Sequence, residues 1–278
     1  MIPSDLRETV TRALAEDLGR GDLSAAVVAE QMSAIATVIS RESAVLCGSH
    51  WFDEVFRQID PKVTVEWLIQ EGNDVAPGQI LCNLRGPVRA LLSGERTALN
   101  FLQTLSATAT TSRRYAEAVV GTNTQVLDTR KTLPGLRNAQ KYAVRLGGCH
   151  NHRHGLDDGI LLKENHLMAS SSIRAAVSAA RAFIPPGMQV EVEAENLDQV
   201  REAIEAGADL LLLDNFDLDN LTKAVDLCRG RVLTEASGNV TLSTIRTIAE
   251  TGVNFISSGA ITKDVRAVDL SMRFVIVN

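Results

Sequence analysis

The feature that most constrains the fold is a regular alternation of short apolar runs and helical stretches that begins near residue 110. Short apolar runs are typical of parallel strands that are buried on both faces. Their alternation with helices indicates βαβ units, which right-handed crossovers close, or nearly close, into a barrel. A Rossmann sheet is the alternative, but no Gly-x-Gly-x-x-Gly follows any of the runs. The predicted strands are 125–127, 160–162, 189–192, 210–213, 232–233 and 254–256, and the predicted helices are 139–146, 173–182, 197–206, 218–228 and 242–251.

The chain before residue 110 has a different pattern. An apolar residue recurs every fourth position from Leu6 to Leu18 and predicts an amphipathic helix over 3–19, with Ser4 as its N-cap. The other predicted elements of this region are strands at 35–40, 63–69 and 79–84, a helix over 51–59 and a long helix over 94–119.

Composition excludes several classes of function. Of the 278 residues, 45% are hydrophobic and 22% are charged, with a net charge of −6 that disfavours binding to nucleic-acid backbones. No apolar run approaches the roughly 20 residues that cross a bilayer, and no signal peptide is visible at the N-terminus. The four cysteines are scattered without a Cys-x-x-Cys pair, which favours free thiols in a reducing cytoplasm. We therefore expect a cytoplasmic protein with no nucleic-acid or membrane partner.

Polar residues follow the predicted barrel strands, one group after another. In α/β barrels the residues just past the carboxyl ends of the strands line a single rim, where active sites are built. The groups here are 128–131, 163–166, Glu193, 214–215, 235–239 and 257–260.

Positive charge is concentrated between residues 129 and 153, which hold six Lys and Arg residues and no acid. Three of them, Arg137, Lys141 and Arg145, have the four-residue spacing of a solvated helix face, and that interpretation is as good as a functional one. The others, Arg130, Lys131 and Arg153, lie at strand ends or turns. Two like charges at about 4 Å repel by ~1 kcal/mol in water and ~4 kcal/mol at an effective dielectric of 20. A substrate with several carboxylates or phosphates would relieve that repulsion.

Two loops rich in small residues follow the last two predicted barrel strands. They are Ser237-Gly238-Asn239 and Ser258-Gly259-Ala260. Glycine allows a ligand to approach the backbone closely, and phosphate sites in barrels commonly use the loops after the last strands. The pair of loops therefore indicates a phosphate site.

Two acids, Glu193 and Asp214, end consecutive predicted strands. Three roles are open to them: holding Mg²⁺ through water, binding sugar hydroxyls, or acting as a base. Ordinary salt bridges to the basic residues are the remaining alternative, but a purely basic site would not need acids on the same rim.

Several segments together resemble the quinolinate phosphoribosyltransferases, over nearly the whole chain. The family's fold is an N-terminal α/β sandwich domain joined to an incomplete α/β barrel, the type II phosphoribosyltransferase architecture. The resemblance implies domains at 1–108 and 109–265, with a C-terminal strand, 266–278, that returns to the first domain. The segments that carry it are 94–103, Asp128-Thr-Arg-Lys-Thr-Leu-Pro-Gly-Leu-Arg137, 141–144, Asn151-His-Arg153, Leu162-Lys-Glu-Asn-His166, 237–240 and 269–274.

The resemblance also implies the reaction and the role of each site residue. Quinolinate and phosphoribosyl pyrophosphate (PRPP) give nicotinate mononucleotide, pyrophosphate and carbon dioxide, with Mg²⁺. The implied assembly is a homodimer, or a hexamer of three dimers, in which Arg96 reaches the partner's site. The implied residues are, for quinolinate, Arg96, Thr129, Arg130, His152, Arg153 and Lys163; for PRPP and its phosphates, Lys131, Ser237, Gly238, Asn239, Ser258, Gly259 and Ala260; for Mg²⁺, Glu193 and Asp214; and for catalysis, Lys131, Glu193 and Asp214.

This chain departs from the family pattern at two positions near the implied rim. Cys149 stands where the family often has glycine, and Asp264 lies at or beside a position where close relatives often carry histidine. Both changes are expected to alter affinity or thiol sensitivity without removing an implied ligand.

Three other functions remain as alternatives. A homologue from a molybdate-transport operon or a nicotinate-specific enzyme would act on another base. A lysine Schiff-base aldolase would use Lys163, which lies among cations that lower an amine pKa. A non-catalytic sugar-phosphate sensor is the third.

Overall fold

The computed structural model describes residues 1–277, and contacts divide the chain into two units. The first unit comprises residues 1–113, 133–148 and the segment from 264 onward. The second comprises residues 114–132 and 149–263. Among residues 1–277 no helix is both long enough and apolar enough to cross a membrane.

Helices and strands both occur throughout the described chain, and from residue 88 onward they alternate apart from two consecutive helices between residues 164 and 181. The helices are α1 (Leu6–Leu18), α2 (Ser49–Ile59), α3 (Val88–Ala118), α4 (Arg137–Leu146), α5 (Glu164–Met168), α6 (Ile173–Arg181), α7 (Leu197–Ala206), α8 (Leu218–Cys228), α9 (Ile245–Glu250) and α10 (Ala260–Lys263). The strands are β1 (Ser33–Ser40), β2 (Ala44–Val45), β3 (Thr64–Trp67), β4 (Asp74–Val75), β5 (Ile80–Pro87), β6 (Gln125–Leu127), β7 (Ile160–Leu162), β8 (Val190–Ala194), β9 (Leu210–Asp214), β10 (Leu233–Ser237), β11 (Phe255–Ser257) and β12 (Leu270–Val277).

The first unit is built on a four-stranded antiparallel sheet in the order β12-β1-β5-β3. Strand β1 alternates between exposed and buried positions, so Ala34, Ala36 and Val38 face the core. Trp51 and Phe52 of α2 belong to the same core. The C-terminal strand β12 pairs with β1 along its whole length, from Ser33 opposite Val277 to Ser40 opposite Leu270.

Helix α4 packs with the first unit, although the implied boundaries place residues 109–265 in the barrel domain. Ala139 and Ala143 are one turn apart and join the core that contains Trp51. The ring of Tyr142 lies 5.4 Å from that of Trp51, centroid to centroid. Residues 133–148 therefore belong to the first unit, because the apolar side of α4 packs into its core.

The second unit contains a six-stranded parallel sheet in the order β6-β11-β10-β9-β8-β7. Helices α6, α7 and α8 connect successive strands, which gives the βαβ pattern that the sequence predicts. Among the described residues, the edge strands β6 and β7 are not paired with each other, and a single bridge joins Leu127 to His150 beside β6. The arrangement is an open α/β barrel, as the resemblance implies.

The predicted elements match the structure apart from some ends. Ser4 is not the N-cap of α1; Asp5 occupies that position and makes no side-chain capping bond. Helix α3 begins at Val88, six residues before the predicted start, because Val88 and Leu91 are already buried in the core. Strand β10 extends to Ser237, so Glu235 lies within the strand and not on the loop after it.

Candidate active site

The carboxyl ends of the parallel strands in the second unit bring together the residues that the sequence places on one rim. Thr129 and Arg130 follow β6 and are partly buried, whereas Lys131 and Lys163 are exposed. Glu193 and Asp214 are the fourth residue of β8 and the last residue of β9, and both are partly exposed.

Asp128 fixes the turn 151–153, which carries Arg153. It directly follows β6 and is 0% exposed. Its Oδ1 accepts the backbone N–H of His152 at 2.9 Å, and its Oδ2 accepts the side-chain amide of Asn151 at 2.7 Å. The residues after β6 and the turn 151–153 are thus held together by a buried carboxylate.

Two guanidinium groups lie close to each other at this turn. Burial and the neighbouring charge of Arg130 lower the pKa of Arg153. The Nη1 of Arg153 also donates to the carbonyl of Gly159, just before β7, at 2.8 Å. A bound anion would offset the repulsion between two neighbouring cations, and the planar fork of arginine suits a carboxylate.

The two rim acids also lie close together. Burial raises the pKa of Glu193, the charge of Lys163 opposes that shift, and the charge of Asp214 adds to it. The Nζ of Lys163 lies 3.9 Å from Oε2 of Glu193. A cavity of about 310 Å³ borders Glu193 on this side. Adjoining carboxylates that are partly removed from water provide the hard oxygen donors that a divalent cation prefers.

The loop after β10 is shaped around Asn215. The backbone N–H of Asn215 donates to the carbonyl of Ser237 at 2.9 Å, and its side chain donates to Asp214 at 2.7 Å. Gly238 has φ +96°, and a Cβ there would lie 2.1 Å from Oδ1 of Asn215. Only glycine fits at this position. Asn215 therefore contacts both Asp214 at the end of β9 and the loop 237–239.

The loop after β11 lies against Lys131. A Cβ on Gly259 would lie 2.9 Å from Cδ of Lys131, so the glycine leaves room for the lysine stem. The hydroxyl of Thr262 donates to the carbonyl of Lys131 at 2.8 Å. The backbone N–H of Ser258 donates to the carbonyl of Leu127, which ties β11 to the end of β6. Lys131 and the loop 258–260 therefore form one surface.

Below the rim lies a cluster of His152 with two buried acids, Glu191 and Glu235. Neither acid is among the site residues predicted from the sequence. The Nε2 of His152 lies 3.1 Å from Oε2 of Glu191 and 3.5 Å from Oε2 of Glu235. Burial and the charge of Glu191 raise the pKa of Glu235 to about 7, against the opposing charge of His152. The signal for Glu191 is its position two residues before Glu193, which places both acids on one face of β8, whereas Glu235, between Thr234 and Ala236, has no such signal.

Arg96 belongs to the first unit, where it is an exposed residue of α3. Its implied role in a partner's site stays a prediction.

The rim of the second unit thus combines anion-binding cations, a pair of carboxylates and two loops with close backbone approach. This combination suits a substrate with two carboxylates beside a phosphorylated sugar, since each group has charges of opposite sign or free backbone to meet it.

Comparisons with known proteins agree with this chemistry. Residues 22–106 match the family model of the quinolinate phosphoribosyl transferase N-terminal domain, and residues 108–273 match that of the C-terminal domain. A probable nicotinate-nucleotide pyrophosphorylase [carboxylating] from Synechocystis is 42% identical over 94% of this chain and 90% of the relative. One from Bacillus subtilis is 38% identical over 98% of this chain and 94% of the relative.

A solved structure shares the whole architecture. The nicotinate-nucleotide pyrophosphorylase from Francisella tularensis superposes with a TM-score of 0.95 at 43% identity, covering 99% of this chain and 98% of that one. The matches extend through both units, so the chain belongs to the quinolinate phosphoribosyltransferase family.

Proposed function

We propose that this enzyme transfers the phosphoribosyl group of PRPP to quinolinate and releases carbon dioxide, giving nicotinate mononucleotide and pyrophosphate. The observation that carries the proposal is the partly buried guanidinium of Arg153, which is held by the carbonyl of Gly159 and whose pKa is lowered by burial and by the charge of Arg130. Quinolinate brings two carboxylates on adjacent ring carbons, which is the anion that these two arginines and the nearby Lys163 accommodate. The product is a pyridine nucleotide, so the reaction is a step in NAD biosynthesis.

The sugar side of the site is proposed to use the opposite half of the rim. Backbone amides of the loops 237–239 and 258–260, apart from that of Ser258, which is bonded to the carbonyl of Leu127, bind the 5′-phosphate, and Lys131 faces the pyrophosphate. Glu193 and Asp214 bind the ribose hydroxyls. Support for this division comes from the close packing of Gly238 against Asn215 and of Gly259 against Lys131, which places the two loops beside Asp214 and Lys131.

Mg²⁺ is part of the proposal. The carboxylates of Glu193 and Asp214 lie at the carboxyl ends of neighbouring strands and fit a divalent cation, which prefers hard oxygen donors. The ion would neutralise charge on the departing pyrophosphate.

The chemistry itself needs positioning and charge placement more than a nucleophilic side chain. The lone pair of the pyridine nitrogen forms a bond to the anomeric carbon while the bond from that carbon to pyrophosphate breaks. Positive charge develops on the ribose, where Glu193 and Asp214 stabilise it. The resulting pyridinium accepts the electron pair of the bond to the adjacent carboxylate, carbon dioxide leaves, and a proton from water takes its place on the ring carbon.

Labelled carbon dioxide tests the reaction directly. Quinolinate labelled in the carboxylate next to nitrogen should release label only when PRPP and Mg²⁺ are both present. Nicotinate, which lacks that carboxylate, should compete weakly. Absence of release over a wide range of substrate concentrations would overturn the proposal, and borohydride trapping of a carbonyl substrate on Lys163 would favour the aldolase instead.

The oligomer and the location are further parts of the proposal. We expect a homodimer, or three dimers in a hexamer, in which Arg96 completes the partner's site. When equal amounts of Arg96→Ala and Arg153→Ala subunits are mixed, about half of the dimers should contain one subunit of each kind. One of the two sites in such a dimer regains both arginines, so activity should return to about a quarter of wild type, whereas each variant alone stays inactive. The four buried free thiols support a cytoplasmic location.

A further inference from the structure

The imidazole of His152 has both ring nitrogens engaged by the protein. The backbone N–H of Arg153 donates to Nδ1 at 2.7 Å, so Nδ1 must be unprotonated. The neutral ring then carries its proton on Nε2, which lies 3.1 Å from Oε2 of Glu191 and 3.5 Å from Oε2 of Glu235. The carboxylate of Glu191 therefore matches the tautomer that the backbone imposes, and that of Glu235 lies near the same nitrogen without a hydrogen bond among the described residues.

The two glutamates lie deeper in the barrel than the rim residues. Side chains two apart along a strand share a face. Glu191 is thus one pleat below Glu193 on β8, and Glu235 is one pleat below Ser237 on β10. Glu191 is 4% exposed and Glu235 is 0% exposed. The pair forms a polar layer beneath the rim, and a cavity of about 580 Å³ borders the cluster.

The ring connects this layer to the residue that binds the substrate. Its Nδ1 accepts the N–H of Arg153, and the backbone N–H of His152 is held by Asp128. The guanidinium of Arg153 is bonded to the carbonyl of Gly159. Arg153 is therefore fixed through its own backbone at one end and through its side chain at the other.

A metal site is the other interpretation of this cluster, because one donor atom from each residue lies within 4.8 Å of the others. A metal on Nε2 requires a lone pair there, and the proton would have to move to Nδ1. A protonated Nδ1 would then face the N–H of Arg153, two donors without an acceptor. The bond to Arg153 is thus incompatible with metal ligation by this ring.

We propose that Glu191 and Glu235 are positioning residues, which fix the Nε2–H tautomer of His152 and through it the orientation of Arg153. His152 then acts on quinolinate also through the orientation of Arg153. The inference rests on the proposed function for its consequence in catalysis, although the tautomer itself does not depend on that function.

Apolar variants of similar size remove the acceptors and keep the volume. In Glu191→Leu and Glu235→Leu, the KM for quinolinate should rise about tenfold or more, the cost of misplacing one charged contact, while the KM for PRPP changes by less than about twofold. Glu191→Gln and Glu235→Gln keep an acceptor oxygen and should stay within about threefold of wild type. Glu205→Gln, an exposed acid of α7, serves as the matched control.

The ring nitrogens of His152 give a readout that a general loss of stability would not imitate. In ¹⁵N spectra of the histidine-labelled enzyme, with His152 assigned by its absence in His152→Gln, wild type should show a protonated Nε2 and an unprotonated Nδ1. The leucine variants should shift signal toward the other tautomer. If a leucine variant does not fold, the wild-type spectrum and the remaining variants still decide.

Two results would overturn the inference. One is a protonated Nδ1 in wild type; the other is a folded pair of leucine variants with unchanged tautomer and unchanged KM for quinolinate. A wild-type enzyme with the expected tautomer but no release of carbon dioxide from quinolinate would instead refute the proposed function and leave the tautomer assignment intact.

Discussion

The two main sheets bury their faces in different ways. In the first unit, the inward residues of β1 are Ala34, Ala36 and Val38, all 0% exposed. In the second, β8 turns Val190, Val192 and Ala194 to one face and Glu191 and Glu193 to the other. The apolar faces follow from the need to remove hydrocarbon from water. The acidic face costs desolvation, so burial of apolar surface alone does not account for it.

The largest expected effect concerns the apolar core of the first unit. Phe52 is 0% exposed, and its ring lies 5.2 Å from that of Phe56 and 5.3 Å from that of Trp67. Phe52→Ala should lower the free energy of unfolding by about 3–5 kcal/mol, because the cavity cannot fully collapse. Urea denaturation measures the loss, and kcat per folded molecule should not change.

The exposed Phe183 of the second unit provides the control, since it is 75% exposed. Phe183→Ala should stay within about 0.5 kcal/mol of wild type. A comparable loss of unfolding free energy in both variants would mean that burial of the phenylalanine ring does not determine how much it stabilises the fold.

The next effect concerns the charged rim. In the proposed site Arg153→Ala would remove two charge-assisted hydrogen bonds to a carboxylate, each worth about 1.5 kcal/mol, so the KM for quinolinate should rise about 100-fold. The KM for PRPP should change far less, and Arg174→Ala, an exposed arginine of α6, should leave both constants unchanged. Steady-state kinetics with each substrate varied in turn makes the comparison, and equal losses for both substrates would contradict the assigned role.

Most helices and strands of this molecule can be predicted from the sequence, because the spacing of apolar residues reflects which segments are buried. The six parallel strands appear where the apolar runs lie, and Glu193 and Asp214 appear on the rim. Two aspects were not accessible. Nothing in the spacing of Ala139 and Ala143 shows which unit they pack against, and Glu235 resembles a loop residue until the strand is seen to continue to Ser237. Both depend on contacts between residues that are distant in the chain.

The acidic layer differs from the apolar face also in its contribution to stability, which depends on pH. The pKa of Glu235 is raised from its model-peptide value of 4.5 to about 7 by burial and by Glu191, with Asp128 adding to the shift and His152 and Ser257 opposing it. The folded state therefore binds more protons than the unfolded state between those values, and stability falls as pH rises from about 4.5 to about 7. The total loss should be on the order of 3 kcal/mol.

Glu235→Gln removes this titration and should flatten that part of the curve. Melting temperatures of both proteins at pH 5, 6, 7 and 8 (about one unit apart, to cover the shift) would show the difference narrowing or reversing as pH rises. Parallel curves for the two proteins would show that the carboxyl ionises at the same pH in the folded and unfolded states.

The smallest expected effect is common to both units and shows which property does not distinguish them. Cys47 and Cys82 lie in the first unit, Cys149 and Cys228 lie in the second, and all four are buried. Burial raises the pKa of Cys149 to about 12 and that of Cys228 to about 11, and it also raises those of Cys47 and Cys82. A thiol reagent at pH 8 should therefore find almost no thiolate in the native enzyme, all four thiols after denaturation, and no loss of activity. Rapid modification of Cys149 with loss of activity would show instead that replacing the family's glycine places a reactive thiol beside Asp128.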